Sequence, residues 1–131
     1  MSRYKIAIQM KNETVERKAF RFPATHFVAR TVQYILHCVE GKAICIADNV
    51  PENVLDLAVT KVSNILDLPI VVDTSFKAQL FSISHSLKIY SLNNLPINKY
   101  VICYNCTENK LPVGVMAEVM VYGHTRDIKF L

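Results

Sequence analysis

The first stretch of the chain alternates between apolar and polar residues, which is the pattern of a strand with one buried side. Residues 3–10 and 17–22 both show this alternation, and the short connection between them predicts an antiparallel hairpin. Pro23 follows directly and is expected to end the strand pairing, because proline has no N–H to donate. The residues predicted to face the core are Tyr4, Ile6, Ile8, Met10, Phe20 and Phe22.

Helical spacing replaces this alternation in the next two segments. Thr25 is predicted to cap a first helix that runs to about Glu40, and Asn49 with Glu52 resembles the capping box of a second helix that ends before Pro69. Short apolar segments follow each helix and predict strands that end at Asp48 and Asp73. A strand, a helix and a second apolar strand predict a right-handed βαβ unit. The apolar stripe of the first helix is predicted to consist of Val28, Val32, Ile35, Leu36 and Val39.

The last third of the chain reads as strands. Residues 76–90 fit a strand better than a helix, because the serines between their apolar residues are poor helix formers. Residues 100–106 and 113–122 are predicted to form a last antiparallel hairpin, and residues 126–130 a short terminal strand. The predicted fold is α+β, with a mixed sheet of about six to eight strands in the order ββαβαββββ and both helices on one face.

Composition supports a folded chain. The 131 residues are 51% hydrophobic and 20% charged with a mean hydropathy of +0.21, which excludes an intrinsically disordered chain. This length predicts one globular domain spanning residues 1–131, without a linker or a targeting segment. The absence of a long apolar run and of a signal peptide predicts a cytoplasmic protein with no membrane partner.

Charge is distributed unevenly along the chain, although the formal net charge is only +4. Residues 1–30 carry seven Lys or Arg against two Glu, whereas residues 31–75 carry two Lys against six Asp or Glu. A basic segment of this kind indicates an anionic partner. Alternation predicts that the hairpin cations share one outer face, and two further residues near the first helix N-terminus could add to it. The predicted anion-binding residues are Arg3, Lys5, Arg17, Arg21, His26 and Arg30.

Two aspartates suggest a different chemistry. Asp48 and Asp73 each end an apolar strand, and ligand sites in parallel sheets lie at the carboxyl ends of strands. Two carboxylates there could hold Mg²⁺ for a metal-assisted phosphohydrolase or a nucleotide-binding enzyme. No glycine-rich phosphate loop or hydrolase motif accompanies them in the sequence, and Asp is also a common strand terminator.

The four cysteines do not form a recognisable metal motif. Cys103 and Cys106 have the C-x-x-C spacing of half a zinc site, but the sequence contains no second pair of ligands with such spacing. They end a strand-like run rather than begin a helix, which argues against a thioredoxin-type redox pair. We expect reduced, buried thiols and neither a metal nor a cofactor.

These observations favour a binding or regulatory protein over an enzyme. The apolar surplus of the last predicted hairpin suggests contacts with another protein or a homodimer, with the basic hairpin available to an anionic partner. A nucleic-acid-binding protein that uses the same basic face is the first alternative, and the Asp48–Asp73 enzyme is the second. The sequence does not distinguish DNA, RNA and acidic protein as the anionic partner.

Overall fold

The computed structural model describes residues 2–10, 13–73, 89–92, 94–95, 99–106, 116–124 and 128–130. Within these ranges two helices and eight strands follow one another along the chain. The elements are β1 Ser2–Met10, β2 Glu13–Arg21, α1 Val28–Glu40, β3 Ile44–Ile46, α2 Glu52–Leu66, β4 Ile70–Val72, β5 Ile89–Ser91, β6 Tyr100–Tyr104, β7 Met116–Tyr122 and β8 Lys129–Phe130. The α+β class and the two helices are confirmed, although five strands rather than four follow α2.

All eight strands belong to one sheet, in the order β5-β4-β6-β7-β3-β2-β1-β8. The six strands from β5 to β2 run parallel to their neighbours. β1 pairs antiparallel with β2, and β8 pairs antiparallel with β1 at the edge of the sheet. The prediction of a mixed sheet is therefore wrong for this six-stranded block, which is parallel throughout.

The predicted antiparallel hairpin between the last two long strands is also wrong, because β6 and β7 are parallel. Residues 105–115 separate the two strands, which is longer than a typical hairpin loop and close to the length that a parallel connection needs. Residues Val101–Tyr104 of β6 are all buried, as expected of a parallel strand covered on both faces. The strand predicted over residues 76–90 lies outside the described residues, except for Ile89 and Tyr90 of β5.

The first helix starts three residues later than its predicted cap. Thr25 accepts a hydrogen bond from the backbone N–H of Phe27 through its Oγ1, over 3.1 Å, and so closes a turn ahead of the helix. α1 begins at Val28, and Phe27 makes no side-chain cap. α2 begins directly after Pro51, also without a side-chain cap, so the capping box predicted from Asn49 and Glu52 does not form.

Apolar side chains cover both faces of the sheet. One cluster joins α1 and α2 to alternate residues of the strands, which places both helices on the same face. A second cluster on the opposite face contains Ala19, Ile44, Ile46, Val71, Val101, Cys103, Cys106, Met120, Tyr122 and Ile128, each at most 6% exposed. We call these the helix face and the open face. Among the described residues, no helix has the length and apolar character needed to cross a membrane.

Candidate functional site

The register of the β1–β2 hairpin separates the predicted cations into two groups. Lys5 lies opposite Lys18 and Arg3 opposite Phe20, whereas Arg17 lies opposite Ile6. Residues paired across a ladder share a face of the sheet, and neighbours along a strand alternate between faces. Because Phe20 packs against the helix-face cluster, the positions of Arg3 and Lys5 belong to that face. Arg17 and Arg21 each lie two residues from Ala19 along β2 and therefore share its face. Ala19 packs in the open-face cluster, on the side of the sheet opposite Phe20.

The structure therefore does not bring Arg3, Lys5, Arg17 and Arg21 together on one face. The pairing of Met10 with Glu13 closes the ladder, so each even-numbered residue of β1 lies opposite an odd-numbered residue of β2. Ile6 accordingly lies opposite Arg17 and not opposite a phenylalanine. Both faces of the sheet are buried near β2 and β3, so the two alternating apolar sets do not need to share a face.

Aromatic rings lie beside the cations of the helix face. The ring centroids of Phe20 and His37 are 5.1 Å apart in an edge-to-face arrangement. Phe22 and Tyr34 stack at 4.4 Å with their ring planes 10° apart. These contacts place one side of α1 against the hairpin, and the spacing of Arg30 from Tyr34 puts Arg30 on that side, one turn earlier. We call this region the basic–aromatic surface, consisting of Lys5, Lys18, Phe20, Arg30, Tyr34 and His37.

The polar parts of the basic–aromatic surface face solvent. Lys5, Lys18, Arg30 and His37 are exposed, whereas Phe20 and Tyr34 are half-buried. Lys5 makes an ion pair with Glu16, in which Nζ and Oε1 are 3.4 Å apart and both side chains are more than half exposed. An exposed pair of this kind contributes little stability, so it leaves the positive charge of the surface available to a ligand.

The remaining predicted anion-binding residues lie elsewhere. Arg21 donates a hydrogen bond through Nη1 to Oδ2 of Asp48 in a half-buried ion pair, so an aspartate already partners its guanidinium. Arg17 lines a pocket at the amino ends of the strands. His26 is exposed and lies ahead of α1, two residues before its first helical residue. Sequence reasoning placed His26 and Arg30 at the N-terminus of one helix, and the structure puts only Arg30 inside it.

The two aspartates do end strands of the parallel block, but they are far apart. Asp48 follows β3 and Asp73 follows β4, and two strands, β6 and β7, lie between them. Adjacent strands are about 4.8 Å apart, so three spacings separate the two strand ends by about 14 Å. One Mg²⁺ ion cannot bridge carboxylates at that separation.

The cysteines form two pairs of neighbouring buried thiols, one on each face of the sheet. On the helix face, the hydrogen bond with Cys38 and burial raise the pKa of Cys45. On the open face, the hydrogen-bonded contact with Cys103 and burial raise the pKa of Cys106, whose Sγ lies 3.2 Å from the carbonyl oxygen of Val71. Reactive cysteines need a lowered pKa and access to solvent, whereas all four thiols are buried and the pKa values of Cys45 and Cys106 are raised. Within the described ranges, no group of three or more His, Cys, Asp or Glu is placed to hold a metal ion.

A groove runs between the two helices on the outer side of the helix layer. Its volume is about 540 Å³, and its lining consists of Ala29, Val32, Gln33, Lys61, Asn64 and Ile65. Ile65 is 60% exposed, and Phe27, two residues before Ala29, is 71% exposed. Apolar side chains of this size on a helix surface indicate a contact with another molecule.

Sequence reasoning missed the aromatic part of the site. Phe20 packs half-buried against the core, as predicted. The hairpin cations were placed on the opposite face because the register set by the two-residue connection between the strands was not applied. With two residues between the strands, every cross-strand pair joins an odd-numbered residue to an even-numbered one. The short connection was therefore the signal that could have placed Lys5 and Lys18 on the face of Phe20. Comparison of the chain with protein-family models, with curated proteins and with solved structures finds no match.

Proposed function

We propose that this chain is a binding protein that holds a single strand of nucleic acid on its basic–aromatic surface. The observation that carries the proposal is the presence of exposed cations and aromatic rings on one side of the molecule. Proteins that bind single strands combine cations, which follow the phosphates, with aromatic side chains, on which bases stack. Lys5, Lys18 and Arg30 supply the charge, and Phe20 and His37 supply the rings.

The arrangement of Lys5 and Lys18 supports an anionic ligand on energetic grounds. The two residues are directly opposite in an antiparallel ladder, where the Cβ atoms of a pair are about 5 Å apart and like charges destabilise the pairing. Glu16 relieves only part of this repulsion, because its ion pair with Lys5 is exposed. A bound phosphate between the two ammonium groups would remove the repulsion and add charge-assisted hydrogen bonds.

The rings favour a nucleic acid over an acidic protein segment. A carboxylate-rich peptide would use the cations but would gain little from the ring of His37, which is exposed. Bases can stack on aromatic rings regardless of their sequence, and each stacked base contributes about 1–3 kcal/mol. We therefore expect binding that tolerates any base sequence and prefers single strands to duplex, whose bases are already stacked.

The test is a fluorescence titration of labelled oligo-dT and oligo-U of about 20 nucleotides at about 50 and about 200 mM salt. We expect Lys18→Glu to weaken binding and to reduce the slope of log affinity against log salt by about 0.7 for each phosphate that the variant no longer neutralises. The same variant replaces a like-charge pair with an attractive Lys5–Glu pair, so we expect the hairpin to gain about 0.2–1 kcal/mol of stability. Weaker binding together with a higher melting temperature separates a binding role from a structural one.

Lys99→Glu, just ahead of β6, is the matched control, because it makes the same charge change at an exposed lysine away from the hairpin. Equal weakening in both variants would show a general charge effect and would contradict the assignment of the surface. Tighter binding of poly-glutamate than of oligo-dT would replace the nucleic acid by an acidic protein as the partner. His37→Ala is expected to weaken oligo-dT binding and to leave poly-glutamate binding unchanged.

A second candidate function is contact between protein chains, and the groove between α1 and α2 favours it. We propose a second copy of this chain as the occupant. The surroundings of the groove carry both signs of charge, with Lys61 of α2 against Glu40 of α1 and Asp67, which follows α2. A two-fold pairing can set Lys61 of one copy against the acids of the other while it covers Ile65, as a self-complementary interface requires.

Light scattering at about 100 µM, well above the dissociation constant of a stable dimer, tests this pairing. We expect a mass of twice 14.9 kDa for the wild-type chain and of 14.9 kDa for Ile65→Glu. Ile89→Glu on β5 is the matched control, because it places the same substitution at an exposed isoleucine outside the groove. A monomeric wild-type chain, or a dimer that survives Ile65→Glu, would refute the groove as the interface.

A further inference from the structure

A second cavity lies at the amino ends of the parallel strands, where neither proposed function uses it. Its volume is about 330 Å³, within the range of small-ligand sites. We call it the amino-edge pocket. Its lining consists of Glu16, Arg17, Lys42, Tyr100, Ala117 and Glu118. Four of these six residues are charged, and Tyr100 is a large aromatic residue with 55% of its surface exposed.

Two irregular backbone features present charged residues to the pocket. Lys42 has a φ of 51°, in the left-handed region, at a position after α1 where glycine is favoured. Glu118 is the extra residue of a β-bulge, because Val101 pairs with Ala117 while Ile102 pairs with Val119. Strained residues and bulges are concentrated at functional sites, where they redirect side chains.

The charged groups of the pocket do not neutralise one another. Glu16 is held by Lys5. Within the part of the chain that the structure describes, Arg17, Lys42 and Glu118 make no hydrogen bond or ion pair through their side chains. Cationic and anionic side chains that line one cavity without pairing are available to a ligand. Such a ligand would carry both an anionic group and hydrogen-bond donors.

The order of these residues along the edge matches one class of ligand. Ala19, Ile44 and Met120 lie in one row across β2, β3 and β7, so Arg17, Lys42 and Glu118 lie two residues earlier in neighbouring columns. Tyr100 begins the next strand, β6. With strands about 4.8 Å apart, the cations lie about 10–14 Å from Tyr100, and Glu118 lies between them.

We propose that the amino-edge pocket binds a nucleoside monophosphate group. Arg17 and Lys42 hold the phosphate, Tyr100 stacks on the base, and Glu118 accepts hydrogen bonds from the ribose hydroxyls. The phosphate, sugar and base of a nucleotide follow one another in the same order as these three parts of the pocket. The inference does not depend on the basic–aromatic surface, since no residue is shared between the two sites.

The same chemistry can come from a free nucleotide or from the phosphorylated end of a strand. Calorimetric titration with AMP, adenosine and inorganic phosphate tests the site itself. We expect AMP to bind at least about 10-fold more tightly than either partial ligand, as charge-assisted phosphate contacts and stacking together imply. Competition by a 5′-phosphorylated oligo-dT, but not by its unphosphorylated form, would identify the strand end as a source. Competition by neither would leave the free nucleotide as the source.

Single substitutions separate the three roles. Arg17→Gln and Lys42→Gly are expected to weaken AMP binding about 10-fold and to leave adenosine binding unchanged. Lys42→Gly also relieves the left-handed backbone, so its melting temperature should not fall. Tyr100→Ala is expected to weaken AMP and adenosine binding equally. Lys18→Glu, which disrupts the surface proposed for single strands, should leave AMP binding intact.

Two outcomes would overturn the inference. The first is equal affinity for AMP, adenosine and phosphate, since a site with three ordered parts must prefer the whole ligand. The second is AMP binding that survives both Arg17→Gln and Lys42→Gly in folded protein.

Discussion

At the residue scale, a few polar contacts fix the ends of the parallel strands. Asn105 has a left-handed backbone at the end of β6, and its Oδ1 accepts a hydrogen bond of 2.6 Å from the backbone N–H of Gly123. The hydroxyl of Tyr104 donates to Oδ1 of Asp56, and both residues are 3% exposed, so this contact ties α2 to the sheet. A buried carboxylate is tolerated only with such partners, because desolvation disfavours its charged form. These contacts hold the ends of β6 and β7 together and fix α2 against the sheet.

A side chain at Gly123 is expected to crowd the core. A Cβ there would lie 3.2 Å from Cδ2 of Leu55, which is 2% exposed, so the Leu55 side chain would have to give by a few tenths of an ångström. Overpacking of this kind costs about 1–3 kcal/mol, and we expect Gly123→Ala to lower the midpoint of thermal unfolding by several degrees. Gly41→Ala is the matched control, because its nearest contact is 3.6 Å away and its φ is −84°. We expect that variant to be neutral or more stable, and equal destabilisation of both would contradict the role assigned to Leu55.

At the element scale, local patterns predicted the elements better than their arrangement. The β1–β2 hairpin, both helices and the strands after them follow from alternation, helical spacing and prolines. The direction of β7 does not, because an apolar run such as Val119–Tyr122 is compatible with a parallel or an antiparallel neighbour. The predicted strands left only residues 107–112 between them, which suits a hairpin, whereas the observed strands are separated by residues 105–115, which is close to the length of a crossover.

The candidate site shows the same division between local and distant information. Lys5, Arg17 and Arg30 were identified from charge and position in the pattern, but the placement of Lys5 and Arg17 on different faces depends on the hairpin register. Lys42, Tyr100 and Glu118 carry no sequence motif and meet at one pocket only because β2, β3, β7 and β6 are neighbours. Strand order is set by long-range packing, which a periodicity of two or 3.6 residues does not encode.

At the scale of the whole molecule, the sheet holds ionisable groups in their neutral forms on both faces. Burial and the hydrogen bond with Asp56 raise the pKa of Tyr104, whose ordinary value is 10.0. The pKa values of Cys45 and Cys106 are raised above their ordinary value of 9.0 by their paired thiols and by burial. All three groups keep their protons in the folded protein at a pH where the unfolded chain loses them.

Stability should therefore decrease in alkaline solution from about pH 9 upward. Above the unfolded pKa the unfolded chain binds fewer protons than the folded one, so each group lowers the free energy of unfolding by about 1.4 kcal/mol per pH unit. The two thiols are expected to act first, from pH 9.0, and Tyr104 to add its contribution from pH 10.0. Below pH 9 their contribution is fully present and independent of pH.

Urea unfolding from pH 7 to pH 10.5 under reducing conditions measures this slope. The double variant Cys45→Ala, Cys106→Ala should be less stable at pH 7, because it leaves cavities, but should lose stability less steeply between pH 9 and pH 10. Equal slopes for the variant and the wild-type chain would show that these thiols ionise as readily in the folded protein as in the unfolded chain.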